Sequence, residues 1–133
     1  MVAPRRPGLL GGTIACMQPT VLIVDDHPSF RSLARSLLEL EGFAVVGEAE
    51  DGAAAIAAVE ALRPTIVLLD VQLPDIDGFE VAERLARMAD APVVVLVSTR
   101  AAAAYGARLE TTPARGFISK TSLSGAALAA LVA

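Results

Sequence analysis

Three carboxylates and one lysine are the groups in this chain best placed to do chemistry. Asp25 and Asp26 follow the apolar run Val21-Leu22-Ile23-Val24. Asp70 follows Ile66-Val67-Leu68-Leu69, and Lys120, the single lysine, follows Gly116-Phe117-Ile118-Ser119. Clustered carboxylates suit Mg2+, which takes octahedral oxygen ligands and keeps several waters. A carboxylate at a strand end is also a nucleophile toward phosphorus, giving an acyl phosphate. A cation and a lysine would neutralise charge developing on the phosphoryl oxygens. Without such partners, two carboxylates about 4 Å apart repel by roughly 4 kcal/mol at an effective dielectric near 20. A lone Asp after a strand reads as a helix cap. A doublet joined by a third acid at another strand end reads as a metal site. Ser98, after Val93-Val94-Val95-Leu96-Val97, offers a hydroxyl to a phosphoryl oxygen on Asp70 or, alternatively, a helix N-cap.

For these groups to meet, the apolar runs must be buried parallel strands of one sheet, whose carboxyl ends form the ligand-binding edge. The pattern predicts strands over 20–25, 43–49, 65–70, 93–97 and 114–119. Helices are expected over 28–41, 51–62, 77–89, 101–110 and 122–132. Pro28 suits the first turn of its helix, and Gly42 ends it. Asp77-Gly78-Phe79-Glu80 has the spacing of a capping box. Strict alternation of five strands and five helices implies a parallel sheet with right-handed crossovers and helices on both faces.

Composition narrows the function classes. The 133 residues, 54% hydrophobic, make one domain with a sizeable core. A net charge of −4 leaves no basic footprint for nucleic acid. The lone cysteine, Cys16, excludes an internal disulfide and points to a reducing, cytoplasmic setting. No apolar stretch is long enough to span a membrane. Residues 1–19, with Arg5-Arg6 and Pro-rich flanks, read as a disordered extension or, equally, residues 1–16 read as sequence upstream of a true start at Met17. A signal peptide is disfavoured, because the apolar centre is short and broken by Gly11-Gly12. The domain is expected over 20–133.

Taken together, the strand-end motifs resemble the response-regulator receiver domain of bacterial two-component signalling. The motifs are Val24-Asp25-Asp26-His27-Pro28, Leu69-Asp70-Val71-Gln72-Leu73-Pro74-Asp75-Ile76-Asp77-Gly78, Ser98, and Gly116-Phe117-Ile118-Ser119-Lys120. Asp-Asp-His-Pro-Ser-Phe-Arg is similar to the NarL/LuxR-like subgroup, which often carries a C-terminal DNA-binding helix-turn-helix. The resemblance implies a doubly wound, flavodoxin-like α/β fold with strand order 2-1-3-4-5. Asp70 would be the phosphoacceptor. Mg2+ would be held by Asp26, Asp25, Asp70 and the backbone carbonyl of Gln72. Ser98 and Lys120 would bind the phosphoryl group, and Phe117 would be the switch aromatic or a plain core ring. Gln72 and Arg100 would modulate dephosphorylation.

The implied partners are a sensor histidine kinase or phosphotransfer protein and a downstream protein reached through helix four, strand five and helix five. A homodimer is compatible with this reading. Direct binding of nucleic acid or membrane is not expected. The resemblance implies a switch rather than an enzyme, one that assists only its own phosphotransfer and autodephosphorylation, and the chain reads as a stand-alone receiver. Thr121 stands where the family often has Pro, and Thr99 competes with Ser98 as the switch hydroxyl. The Ala-rich segment 101–113 predicts a short or mobile fourth helix, and His27 a loop residue beside the acids. Two alternatives come from other classes. One is a phosphorylation-independent pseudo-receiver used for protein interaction or dimerisation. The other is an aspartyl-nucleophile hydrolase, opposed by Gln72 where such enzymes have a second acid.

Overall fold

A computed structural model describes residues 18–133. Its elements alternate as β1 (Thr20–Val24), α1 (Pro28–Leu40), β2 (Ala44–Ala49), α2 (Gly52–Leu62), β3 (Ile66–Asp70), α3 (Gly78–Ala86), β4 (Val93–Ser98), α4 (Ala107–Thr111), β5 (Gly116–Ser119) and α5 (Gly125–Val132). The five strands are parallel, in the order β2-β1-β3-β4-β5. The chain therefore reverses its direction of winding between β1 and β3. A crevice opens at that point, at the carboxyl ends of both strands.

The strand runs are apolar throughout because both faces of the sheet are covered. Leu22, Val24, Val67, Leu69 and Leu96 point to one side and pack with Ala55 and Val59 of α2 and with Phe79, Val81 and Leu85 of α3. Val21, Ile23, Ile66, Leu68, Val95 and Val97 point to the other and pack with Ala34 and Leu38 of α1 and Leu128 of α5. Each fully buried aliphatic side chain contributes roughly 1.5–3 kcal/mol, so the strand ends are held by the best-packed part of the molecule.

Local chemistry sets the helix ends. Asp51, Asp77 and Ser124 each accept a backbone N–H three residues on, from Ala54, Glu80 and Ala127. The capping box at Asp77 is only half formed, because the Glu80 carboxylate pairs with Arg84 instead of turning back to the cap. The third helix ends at Ala86 rather than near residue 89. The fourth helix is short, as its Ala-rich sequence leads one to expect, but it starts well after residue 101. A 3-10 turn, Ala102–Ala104, precedes Gly106 at φ +52°, and only Ala107–Thr111 is α-helical. Four alanines supply helix propensity but little side-chain surface to bury, so nothing ties a continuous helix to the sheet. The last helix starts at Gly125 instead of 122, behind a second 3-10 turn at Lys120–Ser122. Among the described residues no helix is long and apolar enough to cross a membrane. The proposals for residues 1–17, including Cys16 and a start at Met17, lie outside the described residues.

Candidate phosphoacceptor and metal site

Strand register brings the acids together. Val24 of β1 lies opposite Leu69 of β3, so the next residues, Asp25 and Asp70, emerge side by side. Both are buried, while Asp26 and His27 on the turn into α1 are exposed. Neither aspartate caps α1: His27 occupies the N-cap position and makes no side-chain cap. Asp25 Oδ1 instead accepts the backbone N–H of His27 at 2.8 Å. The imidazole joins the cluster, with Nδ1 3.0 Å from Asp25 Oδ1 and 3.0 Å from Asp26 Oδ1.

Lys120 supplies the positive charge. Ser98 of β4 pairs with Ser119 of β5, which puts Lys120 at the same edge of the sheet. Its Nζ lies 2.5 Å from Asp25 Oδ2 and 3.4 Å from Asp70 Oδ2, with only 10% of the side chain exposed. The Phe30 ring backs the ammonium at 4.5 Å. Burial pushes the Asp70 carboxyl up from its ordinary value to about 6, and the charge of Asp25 adds to this. The Gln72 N–H at 3.1 Å and Lys120 oppose the rise. At pH 7 the carboxylate form still predominates.

The donor set fits a hard divalent cation. Asp25, Asp26, His27 and Asp70 each offer one ligand atom within 4.8 Å of the others. Asp25 Oδ2 is buried without a hydrogen bond of acceptable geometry, and the Lys120 ammonium is its only charge partner among the described residues. Three carboxylates and one ammonium leave the cluster net negative, which a divalent ion would correct.

The remaining expected residues lie around this centre. Ser98 is fully buried. Its Oγ accepts the Arg100 N–H at 3.0 Å and shares a 2.6 Å hydrogen bond with the Tyr105 hydroxyl. Thr99 is exposed and lines a groove with His27, Phe30, Leu33 and Lys120. Phe117 is half-buried against Tyr105, with ring centroids 5.8 Å apart. Gln72 and Arg100 are exposed and reach the site through their backbone N–H groups.

Three further residues shape the site without having stood out in the sequence. Tyr105 contacts Ser98. Asp75 accepts the N–H groups of Gly52 and Ala53 at 2.8 and 2.9 Å, tying the β3–α3 loop to the start of α2. Arg108 pairs with Asp77 at 2.8 Å and lies over the Phe79 ring, joining α4 to α3. Tyr105 carried a sequence signal, as the one tyrosine in the chain and an isolated ring among alanines. The other two depend on pairings across 23 and 31 residues.

Known proteins match this arrangement. Residues 21–132 match the family described as the response regulator receiver domain. BvgA of Bordetella pertussis is 38% identical over 105 residues, covering 78% of this chain and 50% of BvgA. The DNA-binding transcriptional activator EvgA of Escherichia coli is 33% identical over 99 residues, covering 74% of this chain and 48% of EvgA. The chain thus spans about half the length of these relatives. Among solved structures, the signal receiver domain of NarL from Mycobacterium tuberculosis superposes with a TM-score of 0.76 at 33% identity, covering 86% of this chain and 97% of that one. A LuxR-family two-component response regulator from Aurantimonas gives 0.76 at 27% identity, with 87% and 86% covered.

Proposed function

Because the chain belongs to the response regulator receiver domain family, whose general role is phosphorylation-dependent switching, we propose that it is itself such a switch and that Asp70 is the residue phosphorylated. The observation that carries this reading is the setting of Asp70: a buried carboxylate at the end of β3, flanked by Asp25 and by the Lys120 ammonium. Neighbouring strands fix the Asp70 backbone, and the Gln72 N–H holds one carboxylate oxygen. The other oxygen faces Lys120.

In the proposed reaction an Asp70 oxygen attacks the phosphorus of a phosphohistidine on a donor kinase or phosphotransfer protein. A P–O bond forms, the P–N bond breaks, and the imidazole leaves with the electron pair and is protonated. Asp25, Asp26 and Asp70, with the Gln72 carbonyl, would hold Mg2+. That ion, when bound, supplies positive charge to the phosphoryl oxygens. Lys120 supplies a second point charge whose compact ammonium suits one oxygen. The groove lined by His27, Phe30, Leu33, Thr99, Lys120 and Leu123 is the approach assigned to the donor. Ser98 is the hydroxyl assigned to the phosphoryl group, being buried at the strand end where Thr99 is exposed. Gln72 and Arg100, exposed at the rim, are assigned control of water access, and Phe117 the repacking that follows.

The test is intact mass after incubation with Mg2+ and acetyl phosphate, wild type beside Asp70→Asn. One phosphoryl adduct on the wild type alone is the expected result. An adduct on both proteins would move the acceptor to another residue. No adduct, together with no Mg2+ binding, would favour the phosphorylation-independent interaction module.

A further inference from the structure

The single tyrosine contacts both residues assigned above to the switch, Ser98 and Phe117. Its ring is held on both sides, 5.6 Å from Phe79 on α3 and 5.8 Å from Phe117 on β5, tilted against each. These are spacings at which aromatic pairs attract. Its hydroxyl lies 2.6 Å from Ser98 Oγ, a short bond to a fully buried group. The backbone at Tyr105 closes the 3-10 turn Ala102–Ala104 and leads into Gly106 at φ +52°.

A serine hydroxyl has one proton and two lone pairs. The Arg100 N–H takes one lone pair. If Ser98 donates to Tyr105, its proton is committed. If Tyr105 donates, the second lone pair is occupied and the oxygen is pinned by two donors. In the first orientation Ser98 can donate to a phosphoryl oxygen on Asp70 only by giving up Tyr105. In the second its proton is free, and Oγ leaves Tyr105 only as far as it must move to reach that oxygen. Phe117 has no hydroxyl with which to make that bond.

We infer that Tyr105 is a positioning residue that holds Ser98 in the unphosphorylated arrangement and is released, with the turn that carries it, when Ser98 engages the phosphoryl group. This rests on the phosphorylation of Asp70 proposed above. Release frees the phenol hydroxyl and lets the ring shift as Phe117 repacks. The signal therefore passes to the segment 102–106, and Arg108 remains anchored to Asp77 and Phe79.

The chain contains no tryptophan and one tyrosine, so its tyrosine emission reports on this residue alone. The experiment is a titration of the whole chain with beryllofluoride and Mg2+, following tyrosine emission and, by calorimetry, binding. The wild type should show a saturable change in emission. Tyr105→Phe, which keeps the ring, should bind beryllofluoride about fivefold more tightly, the ratio given by about 1 kcal/mol for one neutral hydrogen bond. In a Ser98→Ala background the same substitution should leave affinity unchanged. Wild-type binding with unchanged tyrosine emission would overturn the inference and leave the Asp70 reading standing. So would a Tyr105→Phe effect that persists without the Ser98 hydroxyl, which would mark a purely structural role. Failure of the wild type to bind beryllofluoride at all would overturn both.

Discussion

The Lys120 ammonium bridges Asp25 and Asp70, 2.5 Å from one carboxylate and 3.4 Å from the other. It is the counter-ion for two buried acids that adjacent strands force together. Removing one partner from a buried ion pair typically costs 3–5 kcal/mol because a charge is left uncompensated. Lys120→Met should therefore lose about 3 kcal/mol in urea denaturation without divalent cations. Millimolar Mg2+ should restore more stability to this variant than to the wild type, since the ion replaces the missing charge. Equal Mg2+ effects on both proteins would show that the ion does not act at these carboxylates.

Asp70 makes stability depend on pH with a definite sign. Its carboxyl titrates at about 6 in the folded chain, against 3.8 for the unperturbed group. Between those values the unfolded chain gives up the proton and the folded chain keeps it. This contribution is fully present below pH 4 and is lost as pH rises to about 6. Asp70→Asn should remove this decline and be about 1–3 kcal/mol more stable than the wild type at pH 7, and no more stable at pH 3.5. Denaturation curves of both proteins at several pH values measure the difference. A constant gap across the range would contradict the assignment.

Gly78 presses against the phosphoacceptor's own backbone. A Cβ built there would lie 2.4 Å from the Asp70 carbonyl oxygen and 2.8 Å from Val71 Cα, and the Gly78 N–H donates to Val71 O at 2.7 Å. Backbone cannot rotate away as a side chain can. Gly78→Ala should destabilise the fold by about 1–3 kcal/mol, as overpacking does. It should also slow phosphorylation of Asp70, because relief of the clash must displace that residue. Thermal unfolding and the rate of adduct formation by mass spectrometry give the two readouts.

Asp75 contributes to acid unfolding. The N–H groups of Gly52 and Ala53 hold its carboxyl down at about 2. A depressed carboxyl contributes stability above its unfolded value, and this is lost as pH falls from about 4 toward 2. Asp75→Asn should thus lower the melting temperature at pH 7 and converge on the wild type near pH 2. Hydrogen exchange at the Gly52 and Ala53 amides should quicken in the variant. Unchanged exchange would mean that the loop tie does not hold in solution.

Much of the site was legible because the information is local. An apolar run of four or five residues before Asp25, before Asp70 and before Ser98 demands a strand buried on both faces. Parallel strands joined by helices can present their carboxyl ends only at one edge. Lys120 follows by the same logic from β5. Helix boundaries were legible where a cap sits in the sequence, as at Asp51 and Asp77. The shortness of the fourth helix was legible in the Ala-rich segment 101–113, but its start at residue 101 was not, because alanine's propensity was overridden for want of a face to bury.

Side-chain composition and period therefore determined the sheet, its burial and the edge on which Asp25, Asp26, Asp70 and Lys120 meet. Tertiary structure alone decided which groups touch. It seated Asp75 on the amides of α2 and laid Arg108 across Asp77 and Phe79. It also put the Tyr105 hydroxyl on Ser98. Those contacts form between elements whose separation and rotation are set by how the core packs. Distances of about 3 Å between such side chains depend on the whole fold, whereas the strand ends depend only on the residues that build them.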